Sequence, residues 1–228
     1  MDIIKDFVPA HKYGLKCPYP MVPEFFVIHN TSGDASAKNE ITYMKNNNLQ
    51  TSFHFAVDDK EVRQGLPLDR NAFHAGDGVK GRGNRKGIGV EICYSKSGGK
   101  RFEKAEERAA EFVAEKLIEF GWGMDRIKKH QDFSGKYCPH RTLDLGWNRF
   151  IKKVELYMDL LKRVEALEKK TDNFIYAWVD DNMPDWAKPT VTKLMEKGLL
   201  KGDEEGKLNL DENMLRMLVI NDRAGLYD

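Results

Sequence analysis

The chain has 228 residues, of which 41% are hydrophobic and 32% are charged, and its formal net charge is +1. This composition supplies enough apolar side chains for a folded core and excludes a disordered chain. The sequence lacks the roughly 18 consecutive apolar residues of a membrane-spanning helix, so we expect no membrane partner. It also begins without the basic and apolar segments of a secretion signal, so we expect synthesis in the cytoplasm.

Charge is distributed unevenly along the chain. From Asp172 onward there are 12 acidic and 7 basic residues, so the preceding part is net basic. This division indicates two modules, and the basic one would be attracted to a polyanion such as nucleic acid or an anionic cell wall. The three cysteines, Cys17, Cys93 and Cys138, are scattered and odd in number. They exclude a disulfide framework and favour a ligand or a nucleophile.

The first half of the chain predicts strands separated by one helix and one long loop. Apolar or alternating runs predict strands over 25–28, 51–57, 61–64 and 88–94. Asp34 is the predicted N-cap of a helix over 35–46. A glycine-rich loop over 75–86 precedes the last strand. Alternation along that strand places Gly89, Glu91 and Cys93 on one face.

The second half predicts mainly helices. Apolar residues at helical spacing predict helices over 103–120, 147–170, 188–197 and 213–223. Strands interspersed with helices indicate an α/β or α+β body with a central sheet. We expect this body over 1–158, a helical linker over 159–173 and a small helical C-terminal module over 174–228.

Histidines and a cysteine supply a candidate metal site. His29 ends a predicted buried strand, and His130 precedes Cys138 by eight residues. Two imidazoles and a thiolate suit zinc, and three protein ligands leave a fourth position open for water. Glu91 could accept a proton from that water, and Lys136 could neutralise an oxyanion. From spacing alone, core or surface roles for these residues stay open, with Cys138 as a small buried apolar residue.

Five blocks of the sequence, taken in order, resemble one family. They are Phe25-Phe-Val-Ile-His-Asn-Thr31, Ser52-Phe-His-Phe-Ala-Val-Asp-Asp59, Phe73-His-Ala-Gly-Asp-Gly78, Ile88-Gly-Val-Glu-Ile-Cys-Tyr94 and the segment from His130 to Lys136-Tyr-Cys-Pro139. These blocks resemble the zinc-dependent N-acetylmuramoyl-L-alanine amidases of phage endolysins and bacterial autolysins, which are related to peptidoglycan-recognition proteins. The resemblance spans about residues 25–150. It implies a mixed β-sheet flanked by helices, with one zinc ion per chain in a cleft at the sheet edge.

The resemblance also implies the roles of the candidate site residues. It implies that His29, His130 and Cys138 bind zinc. It further implies that Glu91 activates the water and that Lys136 stabilises the transition state.

Three other aromatic or imidazole positions bear on the same site. Some relatives carry a tyrosine where this chain has Phe53, and because a phenyl ring cannot hydrogen-bond a water, more of the catalytic role falls on Glu91. His74 is predicted to bind substrate by lining the groove, with a hydrogen bond that holds its own loop as the alternative. His54 is predicted to be structural.

The implied function is cleavage of the amide bond between N-acetylmuramic acid and L-alanine in bacterial peptidoglycan. A peptidoglycan-binding protein without catalysis is one alternative, and a cysteine hydrolase that uses Cys138 and His130 is another. We expect no nucleic-acid partner, and a DNA-binding winged helix in the C-terminal module is disfavoured because this module is net acidic. A monomer is favoured, although pairing through the helix over 147–170 stays open. A phage endolysin that reaches the cell wall through a separate membrane pore is favoured over a host autolysin.

The C-terminal module loosely resembles one helix-loop-helix unit of the surface-layer-homology modules. The resemblance depends on its Trp-Ala start and on the run Lys197-Gly-Leu-Leu-Lys-Gly202. Cell-wall anchoring and a purely structural cap are both left open. The cap would pack Trp178, Trp186, Leu194, Leu208 and Leu218.

Overall fold

A mixed six-stranded sheet forms the centre of the computed structural model, which describes residues 1–172 and 175–228. Its strands are β1 Ile3–Lys5, β2 Phe25–Asn30, β3 Phe55–Val57, β4 Val62–Gln64, β5 Gly87–Ile92 and β6 Ile127–Lys129. Their order is β1-β4-β3-β5-β2-β6. Strands β3 and β4 pair antiparallel, and the other neighbours in this sheet pair in parallel. The predicted mixed central sheet is confirmed.

The strand β2 is buried along its whole length. All six of its residues are buried, and it lies between the parallel strands β5 and β6. A strand that is covered on both faces needs apolar side chains at successive positions, which explains the unbroken run Phe25-Phe-Val-Ile28. This fully buried strand therefore carries His29 near its carboxyl end.

Helices flank this sheet, as predicted for an α/β fold. They are α1 Tyr13–Lys16, α2 Ala37–Asn46, α3 Arg82–Lys86, α4 Gly99–Glu119, α5 Gln131–Ser134, α6 His140–Asp144 and α7 Trp147–Asp172. Short 3₁₀ turns lie at Ala10–Lys12 and Met124–Arg126. Within the described ranges, no helix combines the length and the apolar character that crossing a membrane requires.

The hydrophobic core lies between the sheet and the long helices. Phe55 of β3 packs against Phe112 of α4, with ring centroids 4.7 Å apart. Ile88 and Val90 of β5 are fully buried in the same core. Because side chains alternate along a strand, Gly89 and Glu91 occupy the opposite face of β5, where the candidate site lies.

Several predicted boundaries were wrong. Ser36 is the N-cap of α2, since its side chain accepts from the Asn39 amide, whereas Asp34 accepts from the distant Ser97 amide. The predicted loop over 75–86 contains α3, which lacks the apolar spacing that reveals a helix. The helix predicted from residue 103 begins at Gly99, because Phe102 adds one more buried position to its apolar face. The short strands β1 and β6 were not predicted.

Two units divide the chain, Met1–Leu161 and Lys162–Asp228. The helix α7 begins in the first unit, where Phe150, Val154 and Met158 are buried in the core. Its residues 162–169 are exposed. The linker predicted over 159–173 ends, and the module predicted over 174–228 begins, at residues 173 and 174, which lie outside the described residues, so the predicted domain bounds stay predictions.

After the end of α7, the described residues of the second unit form two helices and a two-stranded sheet. Its elements are β7 Ile175–Tyr176, α8 Lys188–Glu196, β8 Leu210–Asp211 and α9 Glu212–Arg223. Met183, Ala187, Val191, Leu208, Leu210, Leu215 and Val219 form its own core. Leu194 and Leu208 are buried as predicted, and Leu218 packs against the core, but Trp178 is 48% and Trp186 is 41% exposed. Both tryptophans are therefore less enclosed than the cap, one of the two alternatives left open for this module, would have them.

Candidate metal centre

The sheet topology brings His29 and His130 together. His29 lies near the carboxyl end of β2, and His130 directly follows β6, which pairs with β2 in parallel. Carboxyl ends of parallel strands meet at one edge of the sheet, where loops can present functional side chains. The segment between α5 and α6 adds Cys138 at the same edge.

These three side chains form a group of buried donor atoms. One possible ligand atom from each of His29, His130 and Cys138 lies within 4.8 Å of the others. The Nδ1 atom of His29 lies 3.0 Å from Nδ1 of His130 and 3.9 Å from Sγ of Cys138. Two imidazole nitrogens and one sulfur this close together form a donor set that suits a tetrahedral zinc ion.

Burial keeps the histidines in the form that binds a metal. It lowers the pKa of His29 well below its ordinary value, and the neighbouring His74 and His130 lower it further. Burial also lowers the pKa of His130 to about 4, and the charge of Lys136 contributes to this decrease. Both imidazoles are therefore neutral at pH 7, and neutral imidazole is the ligand form.

The sulfur of Cys138 is protonated unless a cation is present. Burial, followed by the charge of Glu91, raises the pKa of the Cys138 thiol to about 11. Backbone groups of Asn30 and His140 and the charge of Lys136 oppose this increase. A thiol in this state is a poor nucleophile, and a coordinated divalent cation would deprotonate it. The donor set therefore fits a metal centre better than a cysteine nucleophile.

A carboxylate lies beside these donors. Glu91 of β5 is in register with His29 of β2, so the two side chains share a face of the sheet. Its Oε2 atom is shielded from solvent and has no hydrogen-bond partner within the described part of the chain. Burial, followed by the charge of Glu40, raises the pKa of Glu91 to about 8, while Lys136 opposes the increase. Such a group can both accept and release a proton near neutral pH.

Two cavities meet at Lys136 and Thr51, and together we call them the groove. The first cavity, about 250 Å³, also exposes Glu40, Phe53 and Glu91. The second, about 560 Å³, is lined by residues that include His74, Asn84 and His130. Lys136 is exposed between the two cavities, so its ammonium group can approach a substrate that occupies either one.

His74 contributes to the wall of the second cavity, but both nitrogens of its ring contact groups inside the protein. Its Nδ1 atom lies 2.9 Å from Nε2 of His29, and its Nε2 atom lies 3.1 Å from the carbonyl oxygen of Gly87. The Asn84 side chain accepts from the backbone amides of His74 and Ala75, both at 2.7 Å. Substrate binding by His74 stays a prediction.

His54 has the structural role that was predicted for it. Its Nε2 atom lies 2.9 Å from the carbonyl oxygen of Arg70, and its Nδ1 atom accepts from the Gly89 amide at 3.0 Å. Both ring nitrogens therefore form hydrogen bonds with backbone groups. Burial also lowers the pKa of His54 to about 4, so the ring is neutral.

Sequence reasoning missed three residues that shape the groove. Asn84 fixes the loop that carries His74, and Glu40 adds a second carboxyl group beside Glu91. Lys16 is fully buried and donates to Asn47, Leu49 and Thr51, which line the first cavity. The sequence gives little signal for these roles, because each depends on partners that are distant in the chain or have no motif.

Comparisons with known proteins agree with this geometry. The family model described as N-acetylmuramoyl-L-alanine amidase (Amidase_2) matches residues 19–141, which is more than half of the chain. The chain is 56% identical over 180 residues to the N-acetylmuramoyl-L-alanine amidase CwlA of Bacillus subtilis, covering 76% of this chain and 66% of CwlA. It is 62% identical over 156 residues to the N-acetylmuramoyl-L-alanine amidase XlyB of the same organism, covering 68% of this chain and 49% of XlyB.

A solved structure shares the fold. The structure of PlyL matches with a TM-score of 0.66 and 52% sequence identity, covering 68% of this chain and 97% of PlyL. The chain spans about half to two thirds of the length of CwlA and XlyB. The matched residues include every element that forms the candidate centre up to Cys138. The chain belongs to the N-acetylmuramoyl-L-alanine amidase family.

Proposed function

We propose that this protein is a peptidoglycan hydrolase that cleaves the amide bond between N-acetylmuramic acid and the L-alanine of the stem peptide. The proposal depends on one observation, the convergence of His29, His130 and Cys138 donor atoms within 4.8 Å. The names of the relatives CwlA and XlyB support the same reaction. The natural substrate is then bacterial cell wall, and a phage endolysin is the favoured biological context.

We propose one zinc ion per chain, held by His29, His130 and Cys138. The chemistry of two neutral imidazoles and one sulfur supports zinc over magnesium or calcium, which prefer oxygen ligands. When bound, the ion would lower the pKa of a coordinated water and polarise the substrate carbonyl.

Glu91 and Lys136 supply the proton transfer and the positive charge in this proposal. Glu91 accepts a proton from the attacking water at its carboxylate and returns it to the amine of L-alanine as the amide bond breaks. Its raised pKa supports both steps, because a weakly acidic carboxyl group can hold the proton between them. Lys136 stabilises the negative charge that develops on the carbonyl oxygen.

Two alternatives have less support. A binding protein without catalysis has no need for a carboxyl oxygen that is shielded and has no hydrogen-bond partner among the described residues beside three metal donors, which is the situation of Oε2 of Glu91. A cysteine hydrolase needs a thiolate, whereas burial raises the pKa of Cys138 to about 11. We assign the catalytic site to residues 1–158, and cell-wall binding or stabilisation to residues 174–228.

Mass spectrometry of digested peptidoglycan tests the proposed reaction. We expect newly exposed L-alanine amines together with intact glycan strands. The matched control is Glu91→Gln, which keeps the shape of the side chain but cannot accept the proton. We expect this variant to bind zinc with unchanged stoichiometry and to lose at least about a hundredfold in rate. Cleaved glycan, cleavage elsewhere in the peptide, or a fully active Glu91→Gln protein would contradict the proposal.

A further inference from the structure

A chain of three groups leads from the metal donors into the protein. It begins at Nε2 of His29, continues 2.9 Å away at Nδ1 of His74, and ends 3.1 Å from Nε2 of His74 at the carbonyl oxygen of Gly87. All three groups are buried. The first ring is also a candidate metal ligand, so the chain begins on the side of His29 that faces away from the donor cluster.

The carbonyl oxygen at the end of this chain determines the direction of its hydrogen bonds. A carbonyl oxygen can only accept, so Nε2 of His74 carries a hydrogen and donates to Gly87. In a neutral ring, Nδ1 of His74 then holds a lone pair and accepts from Nε2 of His29. The remaining nitrogen of His29, Nδ1, is thereby left with its lone pair. This is the nitrogen that lies 3.0 Å from His130 and 3.9 Å from the sulfur of Cys138.

The opposite arrangement would carry a charge. If His74 donated from both nitrogens, it would be an imidazolium ion in a buried position beside two other histidines. Among the residues that the structure describes, the hydrogen-bond partners of the ring are His29 and the Gly87 carbonyl, and neither is a carboxylate. The neutral arrangement is therefore the favoured one.

The backbone around His74 is held firmly in place. Asn84 accepts from the amides of His74 and Ala75, and it donates to the carbonyl of Gly78. A β-carbon at Gly89 would lie 2.8 Å from the His74 ring, so the glycine allows the ring to lie directly against β5. The next residue, Ala75, hydrogen bonds through its backbone with the ring of His130. One short segment therefore contacts both histidine ligands.

We propose that His74 is a positioning residue that fixes the tautomer and the ring orientation of His29, so that Nδ1 of His29 faces the metal. This inference depends on the metal centre of the proposed function. It assigns His74 to the support of a ligand and not to contact with substrate. Groups that orient a metal-binding histidine through its second nitrogen typically change metal affinity by 10- to 100-fold when they are removed.

Two substitutions of the same residue separate this role from a structural one. In His74→Asn the amide oxygen lies close to the position of Nδ1, so it can accept from His29. In His74→Gln the amide nitrogen reaches the position of Nε2, so it keeps the bond to Gly87 and holds the loop. If His74 only holds its loop, His74→Gln should lower the zinc affinity less than His74→Asn does. If His74 orients His29, His74→Asn should lower the zinc affinity less.

The measurement is the zinc affinity of the metal-free full chain, determined by competition with a chromophoric chelator. We expect His74→Asn to bind zinc within about threefold of the wild type and His74→Gln to bind about 10- to 100-fold more weakly. Unchanged affinity in both variants, or weaker binding in His74→Asn than in His74→Gln, would overturn the proposal. A raised KM with unchanged zinc affinity would instead assign His74 to substrate.

A measurement on the wild type keeps the inference testable if the variants do not fold. Long-range nitrogen–proton correlation NMR of the metal-free chain identifies the protonated nitrogen of each neutral histidine. We expect a hydrogen on Nε2 of both His29 and His74. A hydrogen on Nδ1 of either ring would contradict the proposal. Failure of the wild type to bind zinc would contradict the proposed metal centre, while the tautomers would still be read from the same spectrum.

Discussion

At the scale of single residues, the main property of the site is which candidate ligands carry an acidic proton before a metal binds. His29 and His130 are neutral because burial lowers their pKa values, while burial keeps Cys138 protonated by raising its pKa to about 11. Only the sulfur must therefore lose a proton to become a ligand. The resemblance to a known family gave these three positions from the sequence. Their protonation states could not be predicted there, because they depend on burial.

Between pH 6 and 8 we expect zinc binding to the wild type to release one more proton per chain than zinc binding to Cys138→His. In this range the pH lies below the pKa of the Cys138 thiol and above that of His130, about 4. The thiol must therefore lose a proton to bind, whereas a neutral imidazole has none to lose, so the ratio of the wild-type to the Cys138→His zinc affinity should rise about tenfold per pH unit. Calorimetry in buffers of different ionisation enthalpy measures the protons released by each protein. The difference between the two proteins cancels any proton that a coordinated water or Glu91 releases in both. Equal proton release by the two proteins would contradict the assigned role of the sulfur.

At the scale of secondary-structure elements, the sequence predicted the elements of the site that have a regular pattern of apolar residues and missed the elements that lack one. The strands β2 and β5 have continuous or alternating apolar residues, and both were predicted. The helix α3 has no such pattern, yet it carries Asn84, which fixes the loop of His74. The predicted strand over 51–57 is shortened to Phe55–Val57, because Ser52 is engaged by Lys16 and Phe73.

Lys16 joins α1 to the segment that forms one wall of the groove. Its Nζ atom donates to the Asn47 side chain at 2.7 Å, to the Leu49 carbonyl and to the Thr51 carbonyl at 3.1 Å. Burial lowers the pKa of Lys16, and the charge of Lys12 adds to the decrease. The buried ammonium group nevertheless has three hydrogen-bond acceptors, which offset the cost of its burial.

We expect Lys16→Met to lower the free energy of unfolding by about 3 kcal/mol, because methionine keeps the apolar stem but leaves buried acceptors unpaired. Urea denaturation of the full chain measures this loss. The matched control is Lys12→Met, since Lys12 also donates to two carbonyls near residue 47 but is less buried. It should cost less than about 1 kcal/mol. Similar losses in both variants would show that the buried position of Lys16 has no special role.

At the scale of the whole molecule, the chain contains two units with separate hydrophobic cores. The charge division in the sequence indicated two modules, and the predicted body over 1–158 included the first half of the helix that is now α7. Phe150, Val154 and Met158 of α7 are buried in the core of the first unit. The small sheet of β7 and β8 was not predicted, because each strand has two residues and no visible alternation.

We expect a chain that ends at Leu161 to fold and to bind zinc like the full chain, because it keeps the complete core of the first unit. A chain that ends at Gly146 should not fold, since the loss of a buried phenylalanine alone costs about 3–5 kcal/mol and it would also lose Val154 and Met158. Thermal unfolding followed by circular dichroism measures both. Cooperative unfolding of the chain that ends at Gly146 would contradict this division into two units. The lack of a cooperative transition in the chain that ends at Leu161 would also contradict it.

The proposed function depends on one zinc ion bound by His29, His130 and Cys138. X-ray absorption spectroscopy of the zinc-loaded full chain tests it most directly, because the zinc–sulfur distance of about 2.3 Å is resolved from zinc–nitrogen distances of about 2.0–2.1 Å. We expect one zinc per chain with one sulfur neighbour and two imidazoles, and Cys138→Ser should lose the sulfur contribution. A zinc shell that contains only nitrogen and oxygen in the wild type would contradict it.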